Sequence, residues 1–154
     1  MTARLAQHMT RRQLLRHSAW FGSAVVLTVA GGEVYSHMAG AGGHRQTENG
    51  PDTLTFVQLS DSHLGFHGAA NTDVTGSFAR AVDHVNSLAA RPDFVMHTGD
   101  LTHLATPGQF DQVKQMMKGL RSGGTHTVPG EHDAIDDSGQ KYRAAFGAGS
   151  RGDG

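Results

Sequence analysis

Cysteine is absent from the 154 residues. That excludes disulfides, zinc–thiolate sites, cysteine nucleophiles and lipid attachment to cysteine. Any metal must therefore rest on His, carboxylate or amide ligands. An excess of either charge is lacking as well. Thirteen Lys+Arg stand against 14 Asp+Glu, a formal net charge of −1. This fits neither a polybasic nucleic-acid binder nor an acidic disordered tail, and no nucleic-acid binding is expected. Long apolar runs are missing too. The most apolar stretch, Ala19–Ala30, is about 12 residues, against roughly 20 needed to span a bilayer. Hydrophobic residues make up 37 % beside 21 Gly, which is lean and loop-rich yet compatible with a globular fold. The length suits about one domain. What the chain has in quantity is histidine, 11 in all.

The first forty residues read as an address. Thr10-Arg11-Arg12-Gln13-Leu14-Leu15-Arg16 is a charged segment with paired arginines, and Ala19–Ala30 follows it. Ala39-Gly40-Ala41 then fits an A-x-A cleavage site. The pattern resembles a twin-arginine export signal; an amphipathic N-terminal helix or an uncleaved anchor is the alternative. The expected division is a signal peptide over 1–41, a polar linker over 42–52 and a domain over 53–154. The resemblance implies passage through the twin-arginine export machinery and a periplasmic or extracellular location in a bacterium. Such export carries folded proteins, often ones loaded with a cofactor. Without residues 1–41 the chain keeps 9 basic and 13 acidic residues, a net of −4.

Three strands are predicted, each ending in an acid. Thr53–Ser60 is β-branched and apolar and runs into Asp61. Asp93–Thr98 runs into Gly99-Asp100, and Thr125–Val128 is closed by Pro129-Gly130 before Glu131. Between them lie two helical patterns. Val74, Phe78, Val82, Val85 and Leu88 recur at helical spacing, with Thr72 as a candidate cap. Thr106-Pro107 is a cap followed by proline at the first helical position, ahead of Phe110, Val113, Met117 and Leu120. Gln140–Phe146 reads as one or two further turns. The order β-α-β-α-β predicts an α/β fold with a parallel sheet and right-handed crossovers.

Functional residues of such sheets gather beyond the carboxyl ends of the strands. The acids are spaced about 39 and about 33 residues apart, one helix and one strand per interval, so they should share one edge. Converging carboxylates repel and raise one another's pKa unless cations neutralise them. Asp61 and His63, two residues apart on an extended strand end, face the same side and can share an ion. Oxygen and imidazole donors without thiolate suit Mn, Fe, Zn or Co.

Asp61-Ser62-His63, Gly99-Asp100 and Gly130-Glu131-His132-Asp133 resemble the first three motifs of the calcineurin-like metallophosphoesterases. That family runs D-x-H, G-D, G-N-H-[D/E], a lone His and then G-H-x-H. The resemblance covers roughly residues 53–146 and implies the N-terminal part of a calcineurin-like phosphoesterase sandwich. It implies two divalent metal ions, with Asp61 and His63 on the first and Asp100 bridging both. His132 would face the phosphate and aid the leaving group, and Asp133 would orient and polarise His132. A hydroxide activated by metals about 3.5–4 Å apart would attack phosphorus in a small-molecule phosphomonoester or phosphodiester.

Two departures from the pattern stand out. Glu131 occupies the place of the family's Asn; it can bind the second metal but has no hydrogen-bond donor when ionised. No His follows His132, so the lone His and G-H-x-H are not found. The expectation is an amino-terminal piece, its C-terminal half missing, with weak metal binding and little activity. The alternative is a degenerate, non-catalytic module that binds metal or phosphate. Purple acid phosphatases carry a metal-binding Tyr shortly after the second acid; Leu101-Thr102-His103-Leu104 stands here, which favours the plainer branch, with cyclic-nucleotide phosphodiesterases similar in layout. His67 and His103 read as solvated loop residues near the pocket, His97 as structural and His84 as solvated. Gly147–Gly152 fits G-x-G-x-x-G but links no strand to a helix. Arg151-Gly152-Asp153 reads as chance. No Ser lies in a G-x-S-x-G context.

Overall fold

The computed structural model describes residues 23–30, 33–38 and 53–147, the first two segments through their backbone pairing only. Three strands form the predicted parallel unit: β3 (Leu54–Ser60), β4 (Phe94–His97) and β5 (Thr125–Thr127). Val57 lies opposite Val95, and Val95 opposite Thr125. Helix α1 (Val74–Asn86) joins β3 to β4, and α2 (Pro107–Met117) joins β4 to β5. A short α3 (Gln140–Phe146) follows.

Two antiparallel strands precede this unit, β1 (Ser23–Ala30) and β2 (Glu33–Met38), giving the order β2-β1-β3-β4-β5. β1 pairs with β3, Val26 opposite Val57. The sequence reading has this stretch as the apolar part of an export signal. Its run of Val25-Val26-Leu27-Thr28-Val29 is equally suited to a strand. Arg11-Arg12, Ala39–Ala41, the linker 42–52 and residues 148–154 lie outside the described residues.

Alternation along β3 places Thr55, Val57 and Leu59 in the core and leaves Phe56, Gln58 and Ser60 half-buried on the other face. The core face meets Val74, Phe78, Ala81 and Val85 of α1, Phe110, Val113 and Met117 of α2, and Tyr142 of α3. The helix stripes read from spacing are thus the buried ones. The first cap differs from expectation. Asp73, not Thr72, caps α1, its carboxylate accepting from the Gly76 amide at 2.9 Å. Thr106 caps α2 as predicted, accepting from the Gln109 amide at 3.3 Å. Among the described residues, no helix is long and apolar enough to cross a membrane.

Candidate metal centre

The ladder between β3 and β4 does not stop where the strands stop. Asp61 N donates to the Gly99 carbonyl (3.1 Å), His63 N to the Asp100 carbonyl (2.9 Å) and Leu64 N to the Leu101 carbonyl (3.0 Å). The two loops therefore run side by side along the carboxyl edge of the sheet. Their backbones turn sharply there: Asp61, His63 and Asp100 have φ of 56°, 41° and 51°, and Gly99 has 115°. Gly99 is needed for packing as well, since a Cβ there would sit 2.9 Å from Gly130 Cα. Gly130 in turn lies flat against Asp100, where any side chain would collide with its backbone and carboxylate. Glycine at both positions brings the second and third loops together.

This brings the predicted metal residues together. Buried His63 points Nε2 at Asp61 Oδ1 and Asp100 Oδ2, each 3.7 Å away. One donor atom from each of the three lies within 4.8 Å of the others. Asp100 is held from the other side, its Oδ1 accepting from the His132 amide at 3.0 Å. Asp61 Oδ2 accepts from the Ser60 hydroxyl. A second cluster joins Asp100, Glu131 and His132 within the same distance, with Glu131 exposed. Three donors on one tetrahedral ion at about 2.1 Å lie about 3.4 Å apart, so contractions of at most about 1.4 Å would seat an ion on either set. Carboxylate and imidazole donors fit a divalent transition ion.

The partners of His132 and Asp133 differ from the pairing expected from the sequence. Nδ1 of His132 lies 2.8 Å from the His103 carbonyl. A carbonyl only accepts, so Nδ1 carries the proton and Nε2 is left for chemistry. The carboxylate of Asp133, wholly buried, is spent elsewhere. It accepts from the amides of Leu101 (3.0 Å), Thr102 (2.9 Å) and Gly130 (2.9 Å) and from the Thr102 hydroxyl (2.8 Å). Asp133 thus fastens the second loop to the third, and the group against the imidazole of His132 is a carbonyl.

Two histidines complete the surroundings. His97 is buried, as expected of a structural residue. The Gly99 amide donates to its Nδ1 (3.4 Å), its Nε2 donates to Ser62 Oγ (3.0 Å), and Ser62 donates to the Leu101 carbonyl (3.0 Å). Burial pushes its pKa down to about 4, against the weaker opposing pull of Asp133 and Asp61. His103 is only half-exposed, unlike a solvated loop residue. Its ring stacks on His132, centroids 5.0 Å apart. Desolvation first, and then the neighbouring His132, His63 and His67, hold its imidazole below the ordinary value. The sequence signal for His103 was slight: a histidine three positions past a motif acid. His67 and His84 are exposed, as expected.

The sequence profile of the calcineurin-like phosphoesterases matches residues 54–151. The chain belongs to that family. At family level this implies divalent metals and phosphoester hydrolysis, and the parallel three-stranded sheet with its helices matches part of the calcineurin-like fold. The "Probable glycerophosphodiester phosphodiesterase" of Arcobacter nitrofigilis is 29 % identical over 87 residues, covering 54 % of this chain and 32 % of that one. A DNA double-strand break repair protein of Methanococcus maripaludis is 32 % identical over 97 residues, covering 57 % and 25 %. The "Probable cyclic nucleotide phosphodiesterase" of Psychrobacter arcticus is 28 % identical over 105 residues, covering 61 % and 37 %. The chain thus spans between a quarter and 37 % of the length of these relatives. Among solved structures, the purple acid phosphatase of yellow lupin seeds (Lupinus luteus) superposes with a TM-score of 0.42 at 12 % identity, over 82 % of this chain and 36 % of that one.

Proposed function

We propose that this chain carries the metal-binding rim of a phosphoesterase acting on small phosphodiesters or phosphomonoesters. The observation that carries the reading is the meeting of Asp61, His63 and Asp100, donor atoms within 4.8 Å, beside a His132 whose Nε2 is uncommitted. Asp61, His63 and Asp100 would hold one divalent ion, and Asp100 with Glu131 would hold a second. Bound ions supply Lewis-acid activation of water and neutralise the phosphate's charge. His132, steadied through its Nδ1–H, is placed to take up a proton at Nε2 and, as the imidazolium, pass it to the leaving oxygen. Asp133 acts on that step through the backbone, by locking Gly130 against Leu101 and Thr102. Two of the named relatives, the glycerophosphodiester and cyclic nucleotide phosphodiesterases, favour a small phosphodiester.

The test is turnover of bis(p-nitrophenyl) phosphate and p-nitrophenyl phosphate by the full chain with Mn2+, Co2+ or Zn2+. Slow hydrolysis that Asp100→Asn abolishes is expected; equal rates in both refute the reading. Exposed Glu131 favours one rival, a module that binds without turnover, because an ionised carboxylate opposes an anionic substrate. Glu131→Asn separates the two. A catalytic site keeps or gains rate, whereas a binding module shows turnover only in the variant. For location, we propose twin-arginine export, supported by Arg11-Arg12 ahead of a short apolar run and an A-x-A segment. Replacing both arginines with lysine should leave the chain in the cytoplasm.

A further inference from the structure

His103 takes no part in the reaction above beyond its carbonyl, yet its ring lies on the metal rim. Its amide donates to the Leu64 carbonyl at 3.0 Å, which ties it to the first loop. The ring stacks on His132 at 23°, and stands edge-on to His63 (centroids 6.1 Å) and to Phe66 (5.1 Å). Its Nδ1 is buried and meets no hydrogen-bond partner among the described residues. A buried polar atom in that state costs free energy unless something engages it. One ring nitrogen from each of His63, His103 and His132 lies within 4.8 Å of the others. Three nitrogens on one ion at about 2.1 Å lie about 3.4–3.6 Å apart, so the rings need to draw in by at most about 1.4 Å to share one. Since Nδ1 of His132 is committed to a carbonyl, that ring offers Nε2.

We propose that His63, His103 and His132 form a three-imidazole site for one divalent transition ion, with His103 as a metal ligand. Three nitrogens select Zn2+, Co2+, Ni2+ or Cu2+ over Mg2+ and Ca2+, which prefer oxygen. The inference goes beyond the phosphoesterase reading and does not rest on hydrolysis. It bears on that reading, however, because an ion here occupies the nitrogen with which His132 would protonate a leaving group. Occupation of this site and turnover therefore exclude each other.

The experiment is titration of the full chain with Cu2+, read by electron paramagnetic resonance. Nitrogen hyperfine structure from three imidazoles is expected. His103→Gln, which keeps the backbone carbonyl, should remove one nitrogen and weaken binding by at least about tenfold, since even outer-shell partners of a metal are worth that much. His67→Gln, an exposed neighbour, should change neither. An unchanged spectrum and affinity in His103→Gln overturn the proposal. So does a one-nitrogen spectrum that Asp61→Asn weakens, which places the ion on the carboxylate set and leaves the phosphoesterase reading standing. Should His103→Gln fail to fold, ring-nitrogen NMR of the unaltered chain with Zn2+ decides. Coordination shifts at His63, His103 and His132 support the site, and an unmoved His103 refutes it. Failure of hydrolysis would alter none of these readouts.

Discussion

Asp133 shows how one side chain can serve a site without entering it. Its carboxylate satisfies three backbone amides and a hydroxyl, all on the two loops that carry Asp100 and His132. Asp133→Ala would strand these donors in the interior, at about 1–3 kcal/mol each. A loss of at least 3 kcal/mol in urea unfolding is expected, together with weaker metal binding. His97 sets a pH dependence. The unfolded imidazole titrates near 6.5 and the folded one near 4, so between these values the unfolded chain holds the extra proton. Its contribution is complete above pH 6.5 and is lost as the pH falls towards 4, on the order of 3 kcal/mol in all. Stability measured across that range should fall less steeply in His97→Gln. The motif acids and His63 were legible in the sequence because spacing after a strand fixes where they emerge. The work of Asp133 and the position of His103 were not. Both depend on which loop backbone lies alongside, and no local pattern encodes that.

Among the elements, the helices were the most legible, since a buried stripe at helical spacing is set within a single segment. Phe110, Val113 and Met117 are buried as their spacing foretold. The α1 cap moved by one residue because the Asp73 carboxylate reaches the Gly76 amide. The cap of α2 carries more consequence, as it ends the loop that begins at Asp100. Thr106→Ala should cost about 1 kcal/mol, a drop in Tm of roughly 4–8 °C for a domain of this size. It should leave metal affinity unchanged, because Asp133 ties the loop of Asp100 to that of His132 whether or not this helix is capped. The pairing of β1 with β3 was not legible. An apolar, β-branched run reads alike as strand or as the centre of an export signal, and only a partner edge distinguishes them.

On the scale of the whole molecule, the topology that places three loops on one edge also links metal binding to folding. An ion that binds only the folded chain at a hundred times its Kd adds about 2.7 kcal/mol. Calorimetry with Zn2+ or Co2+ should raise Tm by roughly 10 °C or more, with reversal by EDTA. Asp100→Asn should reduce the gain, the ion then resting on His63, His103 and His132. This overall layout was legible because β-α-β units permit few topologies, and right-handed crossovers fix the edge on which the acids meet. The same weave has a consequence for motion. The amides of Asp61, His63, Leu64, Leu101, Thr102, His103, Gly130 and His132 all donate within the rim. Loops at binding sites are usually the first parts of a protein to trade their hydrogens with solvent. Here the rim should exchange as slowly as the central strands, opening only when the sheet itself comes apart.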